Sequence, residues 1–340
     1  MNPIEIIAER SYQVSFSDSW DTRLKELIGT RGFIILTQAV LAERVTAHFA
    51  VEDVVILPEG ESQKSLASYS KLLEVLAARN LDRNALIIGI GGGATTDLAG
   101  FLAATYLRGV EWVAVPTSVA GMVDAAIGGK TGINLDSGKN LAGVFYSPAE
   151  VIVSLDWLTT LTQRDVRAGL SESLKCGFIA DPQIIALFKK GYEKNLEEII
   201  HRSIAVKASI VSKDFRESYE RESLNYGHTL GHAIEKDSNY GLRHGEAISI
   251  GMIFAAELSR IQNGLADEVV GDHYELLEVL ELPVTYKRDS WPSLLQFMSR
   301  DKKRKTRSIR FVTLIEPGGT SRSEFSSELL ETIYKDKIAR

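Results

Sequence analysis

Short apolar segments alternate with helix-like segments through the first half of the chain, and this alternation limits the possible folds more than any other feature. The predicted strands are rich in β-branched residues and lie at 32–37, 51–57, 85–90 and 111–115. Segments with helical periodicity lie at 24–28, 40–49, 62–79 and 95–107. Strands that alternate with helices favour a mainly parallel sheet covered on both faces, with ligands at the carboxyl ends of the strands. We therefore predict an α/β N-terminal domain with a ligand site at one edge of its sheet.

A run of three glycines, Gly91 to Gly93, joins the predicted strand at 85–90 to the next helix. Consecutive glycines let the backbone approach a ligand closely, and a helix N-terminus favours a phosphate. The run is not the GxGxxG pattern of many dinucleotide sites, and a tight turn that binds nothing would use the same residues. We interpret it as a loop for a phosphate-bearing ligand, with Glu61 and Lys64 as candidate contacts to a ribose hydroxyl or a phosphate.

A second glycine-rich stretch, residues 123–140, carries a dense set of polar side chains. These are Asp124, Lys130, Asn134, Lys139 and Asn140. Lysines on a glycine-rich backbone are a common way to hold a phosphate. The same composition could be a solvated loop, but apolar residues such as Val123 and Ile133 favour an ordered segment. We therefore predict that this stretch also contacts a phosphate.

The predicted secondary structure becomes mainly helical after a predicted strand at 151–155. Helical periodicity then follows at 164–178, 196–211 and 247–258, and one further strand is predicted at 309–315. The helix at 247–258 is nearly all apolar, which is typical of the core of a domain. We predict an α/β domain at 1–158 followed by an all-α domain at 159–340.

Three of the six histidines fall between residues 221 and 247: His228, His232 and His244. His228 and His232 are four residues apart in a helix-compatible run, so they share one helix face. Two surface histidines and a third in a loop would give the same spacing. A third histidine nearby favours a metal site, although spacing leaves open which of the three would bind the ion. The metalloprotease pattern needs a glutamate where Thr229 stands, so that activity is disfavoured.

The composition excludes several classes of function. The net charge of −6 argues against nucleic acid or a membrane surface as the main partner. The single cysteine, Cys176, excludes an internal disulfide and fits a reducing compartment. Glu5 and Glu9 stand where a signal peptide needs an apolar segment, and no apolar run reaches the length of a membrane span. We therefore expect a cytoplasmic protein with no nucleic-acid or membrane partner.

Taken together, these motifs resemble the 3-dehydroquinate synthases, the sugar phosphate cyclases of the shikimate pathway. The segments that carry the resemblance span most of the chain: 91–109 (GGGATTDLAGFLAATYLRG), 123–134 (VDAAIGGKTGIN), 138–140 (GKN), 171–175 (SESLK), 221–235 (RESLNYGHTLGHAIE), 243–247 (RHGEA) and 301–303 (DKK). The resemblance implies a nucleotide-binding α/β domain followed by an all-α metal-binding domain.

The resemblance also implies an activity, that of a phosphate-eliminating carbon–oxygen lyase. Its substrate would be 3-deoxy-D-arabino-heptulosonate 7-phosphate, and its products 3-dehydroquinate and phosphate. The implied cofactors are NAD, which is reduced and restored within each turnover, and a divalent zinc or cobalt ion. The implied steps are transient oxidation, phosphate elimination, reduction and an intramolecular aldol closure.

The resemblance further implies roles for individual residues. The metal ligands would be Glu172, His228 and His244. His232 would instead be a catalytic base paired with Glu217. The remaining catalytic residues would be Lys130, Lys175 and Arg221.

Two larger sets of binding residues are implied in the same way. Those for NAD are Glu61, Lys64, Gly92, Gly93, Asp97, Thr117, Ser118, Lys139 and Thr160. Those for the substrate are Arg108, Asp124, Lys130, Asn140, Lys207, Arg221, Asn225, Lys302 and Lys303. Asp124, Lys207 and Asn225 would hold sugar hydroxyls, and the others would form the phosphate pocket. Arg108 would reach that pocket from the neighbouring subunit of a homodimer.

The sequence departs from the family pattern at several places, of which the replacements of a usual Phe and Glu by Trp157 and Asp165 are conservative. DAA at 124–126 replaces the common DSS, and TQA at 37–39 stands where an acidic or amide residue usually lies near the adenine ribose. We therefore expect the adenosine end of NAD to be held differently. The alternatives are an amino-dehydroquinate synthase or another sugar phosphate cyclase, a metal-dependent polyol dehydrogenase that would release NADH, and a metal-stabilised binding protein without activity.

Overall fold

A computed structural model describes residues 1–300 and 308–340. The chain divides into two compact units, the first made of Met1–Thr162 and Lys207–Arg216 and the second of Gln163–Val206 and Glu217–Arg340. Lys207–Arg216 therefore group with the N-terminal unit, although they lie inside the predicted range 159–340. The predicted assignment of functions to 1–158 and 159–340 stays a prediction.

The first unit alternates strands and helices. Its strands are β1 (Ile4–Ile6), β2 (Tyr12–Phe16), β3 (Phe33–Gln38), β4 (Val54–Leu57), β5 (Leu86–Gly91), β6 (Glu111–Pro116), β7 (Lys130–Leu135), β8 (Gly138–Phe145) and β9 (Glu150–Val153). Its helices are α1 (Trp20–Ile28), α2 (Ala39–Thr46), α3 (Leu66–Ala78) and α4 (Gly93–Thr105).

Seven of these strands form one sheet in the described part of the first unit, in the order β1-β2-β9-β6-β5-β3-β4. Only the β1–β2 pair in this sheet is antiparallel. The interior strand β5 is buried along its whole length, and its Ile88 pairs with Ile35 on one side and Val113 on the other. A strand covered on both faces needs a continuous apolar run, which residues 86–90 supply apart from one glycine. The predicted α/β domain with a mainly parallel sheet is confirmed.

Two details of the first unit differ from the sequence prediction. The segment predicted as a strand at 51–57 begins with a short 3₁₀ turn, and β4 starts only at Val54. The glycine-rich stretch at 123–140 was predicted to be ordered but was assigned no element, and residues 130–145 form an antiparallel hairpin of β7 and β8. Glycine, asparagine and lysine are rare in strands, so propensity concealed this hairpin.

The second unit is mainly helical. Its helices are α5 (Gln163–Ile179), α6 (Pro182–Lys189), the first part of α7 (Leu196–Lys213), α8 (His228–Asp237), α9 (His244–Asn263), α10 (Asp267–Val279), α11 (Trp291–Arg300) and α12 (Ser327–Ile333). A hairpin of β10 (Ser308–Glu316) and β11 (Gly319–Ser326) accompanies them and contains the strand predicted at 309–315. The predicted helical C-terminal region is confirmed, with this hairpin as an addition.

Helix α9 forms the core of the second unit. It is buried from Gly245 to Ser259, and α5, α8, α10 and β10 pack against it. A helix that is apolar on every side must be surrounded by other elements, as its sequence predicts. No helix within the described ranges is long and apolar enough to cross a membrane.

Candidate functional site

Two glycines let three helices of the second unit approach one another closely. A Cβ atom on Gly245, at the start of α9, would lie 1.7 Å from the carbonyl oxygen of Ala168 on α5. A Cβ atom on Gly251 would lie 1.9 Å from the carbonyl oxygen of Gly227, directly before α8. Both distances are far below van der Waals contact, so any other residue would force the helices apart. The glycines thus bring together the middle of α5 and the starts of α8 and α9, which carry the candidate ligands.

The candidate metal ligands converge on one oxygen atom. The Nε2 atoms of His228 and His244 lie 3.6 Å and 3.2 Å from Oε1 of Glu172. The Nδ1 atom of His228 lies 3.1 Å from the backbone carbonyl oxygen of Tyr226, to which it donates. That bond fixes the tautomer and leaves the Nε2 lone pair of His228 directed at Glu172.

The separations of these donor atoms fit a divalent metal ion. Ligand bonds of about 2.0–2.1 Å at a tetrahedral angle place two donor atoms about 3.3 Å apart. The observed distances of 3.2 Å and 3.6 Å lie on either side of that value. Two imidazoles and one carboxylate are also the donor set of many catalytic zinc sites, which keep a position open for substrate. The residues present therefore fit the ion that the sequence predicts.

The charges around Glu172 keep its carboxylate ionised. Its side chain is only 2% exposed, and Oε2 forms an ion pair with the ammonium group of Lys175. Burial alone would raise the pKa of Glu172, but Lys175, His228 and His244 hold it well below its usual value. Burial also lowers the pKa of His228, so this ring is neutral and able to bind a metal.

A second group of possible ligands adjoins the first. Glu235 Oε2 lies 3.3 Å from Nδ1 of His244 and 3.9 Å from Nε2 of His232. Burial opposes a charge on His244, but the carboxylates of Glu172 and Glu235 raise its pKa. His232 is the exposed member of this group, with 54% of its side chain accessible.

In the first unit, the turn between β5 and α4 approaches a second turn after β6. Gly92 is extended, with φ −71° and ψ −175°, and its carbonyl accepts from the backbone N–H of Thr95. The backbone N–H of Thr117 donates to the Gly91 carbonyl at 2.9 Å, which ties the two turns together. A Cβ atom on Gly92 would lie 3.4 Å from the Ser118 hydroxyl. The structure thus places Gly92 beside Thr117 and Ser118, three of the residues predicted to bind NAD.

Lys64 links the helical end of this turn to the β7–β8 hairpin. Its side chain is 3% exposed, and its ammonium group donates to Asp97 at 2.6 Å and also to the amide oxygen of Asn140. Asn134 connects the same hairpin to Glu61, to which its amide donates at 2.7 Å. Burial raises the pKa of Asp97 to about 6, although Lys64 acts in the opposite direction. One buried cation therefore joins a predicted cofactor residue to a predicted phosphate residue.

Lys207 and Asp124 form another ion pair among the predicted site residues of the first unit. The ammonium group of Lys207 donates to the Asp124 carboxylate and, at 2.6 Å, to the Asp124 backbone carbonyl. Lys207 is only 6% exposed. Two bonds from one buried donor fix both the main chain and the side chain of Asp124.

Comparison with known proteins covers both units. The model of the 3-dehydroquinate synthase N-terminal domain matches residues 54–168, and that of the C-terminal domain matches residues 169–304. The two ranges adjoin and include most of the chain. This chain belongs to the 3-dehydroquinate synthase family. The family predicted from the motifs is therefore confirmed, and the chain is an enzyme.

Relatives of this 3-dehydroquinate synthase family member match over nearly the whole length. The 3-dehydroquinate synthase of Pseudarthrobacter chlorophenolicus is 45% identical over 323 residues, which are 90% of this chain and 89% of that protein. A 2-deoxy-scyllo-inosose synthase, solved with carbaglucose-6-phosphate, NAD⁺ and Co²⁺, has 26% identity and a TM-score of 0.84 over 99% of this chain and 100% of that chain. A 2-epi-5-epi-valiolone synthase from Streptomyces hygroscopicus, solved with NAD⁺ and Zn²⁺, has 22% identity and a TM-score of 0.86 over 97% of each chain, which shows the shared fold.

The structure places the remaining predicted site residues of this family member as follows. Arg221 is buried, and Asn225 donates to Glu217 at 3.4 Å in the same segment before α8. Arg108 is exposed and has a left-handed backbone with φ 69°. Lys130 and Lys139 lie on β7 and β8, and the Thr160 hydroxyl donates to the Trp157 carbonyl at 2.6 Å. Lys302 and Lys303 lie outside the described residues.

Sequence reasoning missed Tyr226, which supports the site. Tyr226 contributes its backbone carbonyl to His228, and a backbone atom leaves no residue-type signal. Asn134 was named only among the polar side chains of the glycine-rich stretch, and the structure shows that it bridges Glu61 and the backbone of Asn140.

Proposed function

We propose that this protein is a 3-dehydroquinate synthase, which converts 3-deoxy-D-arabino-heptulosonate 7-phosphate to 3-dehydroquinate and phosphate in the shikimate pathway. The convergence of two histidine Nε2 atoms on Glu172 Oε1 carries the proposal. A metal-stabilised binding protein could keep the same three ligands, so turnover rather than metal content separates it from the enzyme. His228 and His244 would be ligands together with Glu172.

We assign the cofactors to separate parts of the chain. NAD would bind mainly the range 1–158, with Thr160 just beyond it, and the metal ion and most of the substrate would bind the range 159–340. The related 2-deoxy-scyllo-inosose synthase was solved with NAD⁺ and Co²⁺, which supports this pair of cofactors. When bound, NAD takes up and returns a hydride, and the metal ion acts as a Lewis acid at the reacting hydroxyl. The residues that would hold NAD are Glu61, Lys64, Gly92, Gly93, Asp97, Thr117, Ser118, Lys139 and Thr160.

The substrate would be held by two sets of side chains. Its phosphate would be held by Lys130, Asn140, Arg221, Lys302 and Lys303, and its hydroxyls by Asp124, Lys207 and Asn225. The bonds from Lys207 to Asp124 support a fixed carboxylate that accepts from a hydroxyl without first reorganising. The bond from Lys64 to Asn140 likewise supports an Asn140 side chain that is already fixed when the phosphate group binds.

Catalysis would depend mainly on alignment and charge. A phosphate dianion held beside the proton to be removed can act as the base, so proximity supplies much of the rate. His232 would move protons at the substrate hydroxyls, paired with Glu217, and its exposure of 54% leaves it accessible to a ligand. Lys175 would contribute a fixed positive charge beside the reacting oxygen, since it already pairs with Glu172.

We further propose a cytoplasmic homodimer in which Arg108 completes the phosphate pocket of the neighbouring subunit. The exposed position of Arg108 and its left-handed backbone support this role. A positive φ is costly for a residue other than glycine, and such strain is common at functional sites.

The test is turnover of 3-deoxy-D-arabino-heptulosonate 7-phosphate with NAD and Zn²⁺, in which phosphate release and NADH absorbance are followed together. We expect phosphate release without lasting NADH, because the hydride returns within each turnover. His228→Ala should abolish both metal binding and turnover. His48→Ala is the matched control, because this histidine of the first unit contacts Asp21 and Trp20 instead.

The other outcomes identify the alternatives. NADH that accumulates without phosphate release would show a polyol dehydrogenase. Turnover only with an amino-substituted or sedoheptulose substrate would show a different sugar phosphate cyclase. Stoichiometric metal without turnover of any of these substrates would show a binding protein.

A further inference from the structure

Glu235 is a buried carboxylate that touches a candidate metal ligand from the side away from Glu172. Its side chain is 11% exposed. Its Oε2 lies 3.3 Å from Nδ1 of His244, whereas Glu172 Oε1 lies 3.2 Å from Nε2 of the same ring. The two nitrogens of His244 therefore face two different carboxylates.

Binding of an ion to Nε2 would leave one tautomer of His244. A ring nitrogen must carry no proton to bind a metal ion, so the proton of the neutral ring must sit on the other nitrogen. An ionised carboxylate can only accept, so Glu235 would hold the proton on Nδ1 while Nε2, on the side of Glu172, binds the ion. His228 shows the same division, with Nδ1 bonded to the Tyr226 carbonyl and Nε2 directed at Glu172.

The connection between α8 and α9 explains how Glu235 reaches His244. The backbone N–H of Tyr240 donates to the Glu235 carbonyl at 2.7 Å, and Asn239 and Tyr240 are left-handed, with φ 50° and 59°. This turn reverses the chain, so the first residue of α9 returns to the last turns of α8. The Glu246 carboxylate then accepts from the backbone N–H at the start of α9, which fixes the helix end that carries His244.

We infer that Glu235 is a positioning residue of the metal centre, which holds the His244 ring in place and makes its Nε2 a stronger ligand. A carboxylate behind a ligand histidine fixes the ring orientation and increases its basicity, whereas the carbonyl behind His228 supplies orientation without a full charge. The inference rests on the proposed metal site, since Glu235 acts only through His244.

Removal of such a partner typically lowers metal affinity by about 10-fold to 100-fold. Glu235→Gln keeps the size of the side chain and an acceptor oxygen but loses the charge, so we expect a loss of about 10-fold. Glu235→Ala loses both, and we expect a loss near 100-fold. Glu257→Gln is the matched control. Glu257 is also a buried carboxylate on α9, but it lies about 20 Å further along the helix than His244.

The experiment titrates metal-free protein with Co²⁺ against a chelator and records the visible absorption of the bound ion. The same variants loaded with Zn²⁺ are then examined by ¹⁵N NMR of the histidine rings, which reports the nitrogen that carries the proton. Circular dichroism checks the fold of each variant, and the size-conserving Glu235→Gln decides the outcome if Glu235→Ala does not fold.

We expect one Co²⁺ per chain in the wild type and in Glu257→Gln, with weaker binding and an altered spectrum in both Glu235 variants. We also expect the His244 Nδ1–H signal to shift only in the Glu235 variants. Unchanged affinity and spectra in both Glu235 variants would overturn the positioning role while leaving the metal site intact. A second Co²⁺ that disappears with Glu235 would make it a ligand and overturn the inference, whereas a wild type that binds no Co²⁺ would overturn the metal site itself.

Discussion

Replacing His273 with glutamine should make the helical unit less sensitive to mild acid. His273 lies on α10 and has no exposed surface. Its Nδ1 donates to the backbone carbonyl of Val269 at 2.7 Å, so its Nε2 must accept from the Tyr226 hydroxyl at 2.9 Å. The Phe178 ring stacks on the imidazole with centroids 3.4 Å apart. The site therefore favours the neutral ring and excludes the water that a charged ring needs.

The size of the effect follows from the pKa. Burial lowers the pKa of His273 from its usual 6.5 to about 4. The unfolded chain takes up the proton as the pH falls below 6.5 while the folded protein does not, so acid favours the unfolded state until the pH reaches about 4. The full difference of about 2.5 pH units corresponds to about 3 kcal/mol at 1.36 kcal/mol per unit. Between pH 7.5 and pH 5 the same relation gives about 2 kcal/mol.

The assay is urea unfolding of the metal-free protein at pH 7.5 and pH 5, followed by circular dichroism. At pH 7.5 we expect His273→Gln to be less stable by about 1–3 kcal/mol, because its buried partners are less well satisfied. Between the two pH values we expect the wild type to lose about 2 kcal/mol more than the variant. Tyr226→Phe is the control. It removes one hydrogen bond but keeps the buried histidine, so it should keep the loss of stability between pH 7.5 and pH 5.

An equal loss of stability in the wild type and in His273→Gln would refute this reasoning. It would mean that another group takes up the proton, or that His273 is charged in the folded protein. Tyr226 also links this position to the metal centre, since its backbone carbonyl accepts from His228. We therefore expect His273→Gln to weaken Co²⁺ binding as well.

Three further predictions concern packing, the cofactor and the dimer. Gly251→Ala places a Cβ atom 1.9 Å from the Gly227 carbonyl, so it should lower the free energy of unfolding by about 1–3 kcal/mol and weaken metal binding. The control is Gly271→Ala, whose Cβ atom would meet nothing within 4 Å and should stabilise its helix by about 0.5–1 kcal/mol. If both alanine variants melt at the same temperature, the close helix approach does not constrain the site. Lys64→Met removes a buried charge-assisted donor and should raise the Kd for NAD by about 10-fold to 100-fold by calorimetry, and an unchanged Kd would count against its role. An Arg108→Ala subunit mixed with a metal-ligand variant should regain activity, because one of the two sites in a symmetric dimer is then intact, and verified mixed dimers without activity would argue against a shared arginine.

The fold of the first unit could be predicted where hydrophobic runs and strand propensity agree. Strands β3, β5 and β6 are apolar, rich in β-branched residues and buried on both faces. Their hydrophobic periodicity and their composition therefore both predict strands. The β7–β8 hairpin could not be predicted in this way, because glycine, asparagine and lysine, which are rare in strands, interrupt its apolar residues. The position of Lys207 depends on its bond to Asp124, 83 residues away, and no local pattern encodes such a pair.

The candidate site, like the fold, could be predicted only in part from local sequence patterns. Spacing places His228 and His232 on one helix face but cannot say which is buried. In the structure His228 is 11% exposed and faces Glu172, whereas His232 is 54% exposed, a difference set by how α8 packs on α9. Glu172 lies 56 residues before His228, so only the family resemblance joined them in advance. Partners that act through the backbone, such as Tyr226, leave no mark in the sequence.

The backbone contacts at Gly245 and Gly251 have a consequence for the choice of metal ion. They fix the middle of α5 and the starts of α8 and α9 through main-chain atoms, so the ligand positions exist before any ion arrives. A site made in this way imposes its own separations on the ion and needs no refolding to exchange one ion for another. Zinc and cobalt then compete on affinity and supply alone, and we expect the metal content of the protein to follow the ions that the cell provides.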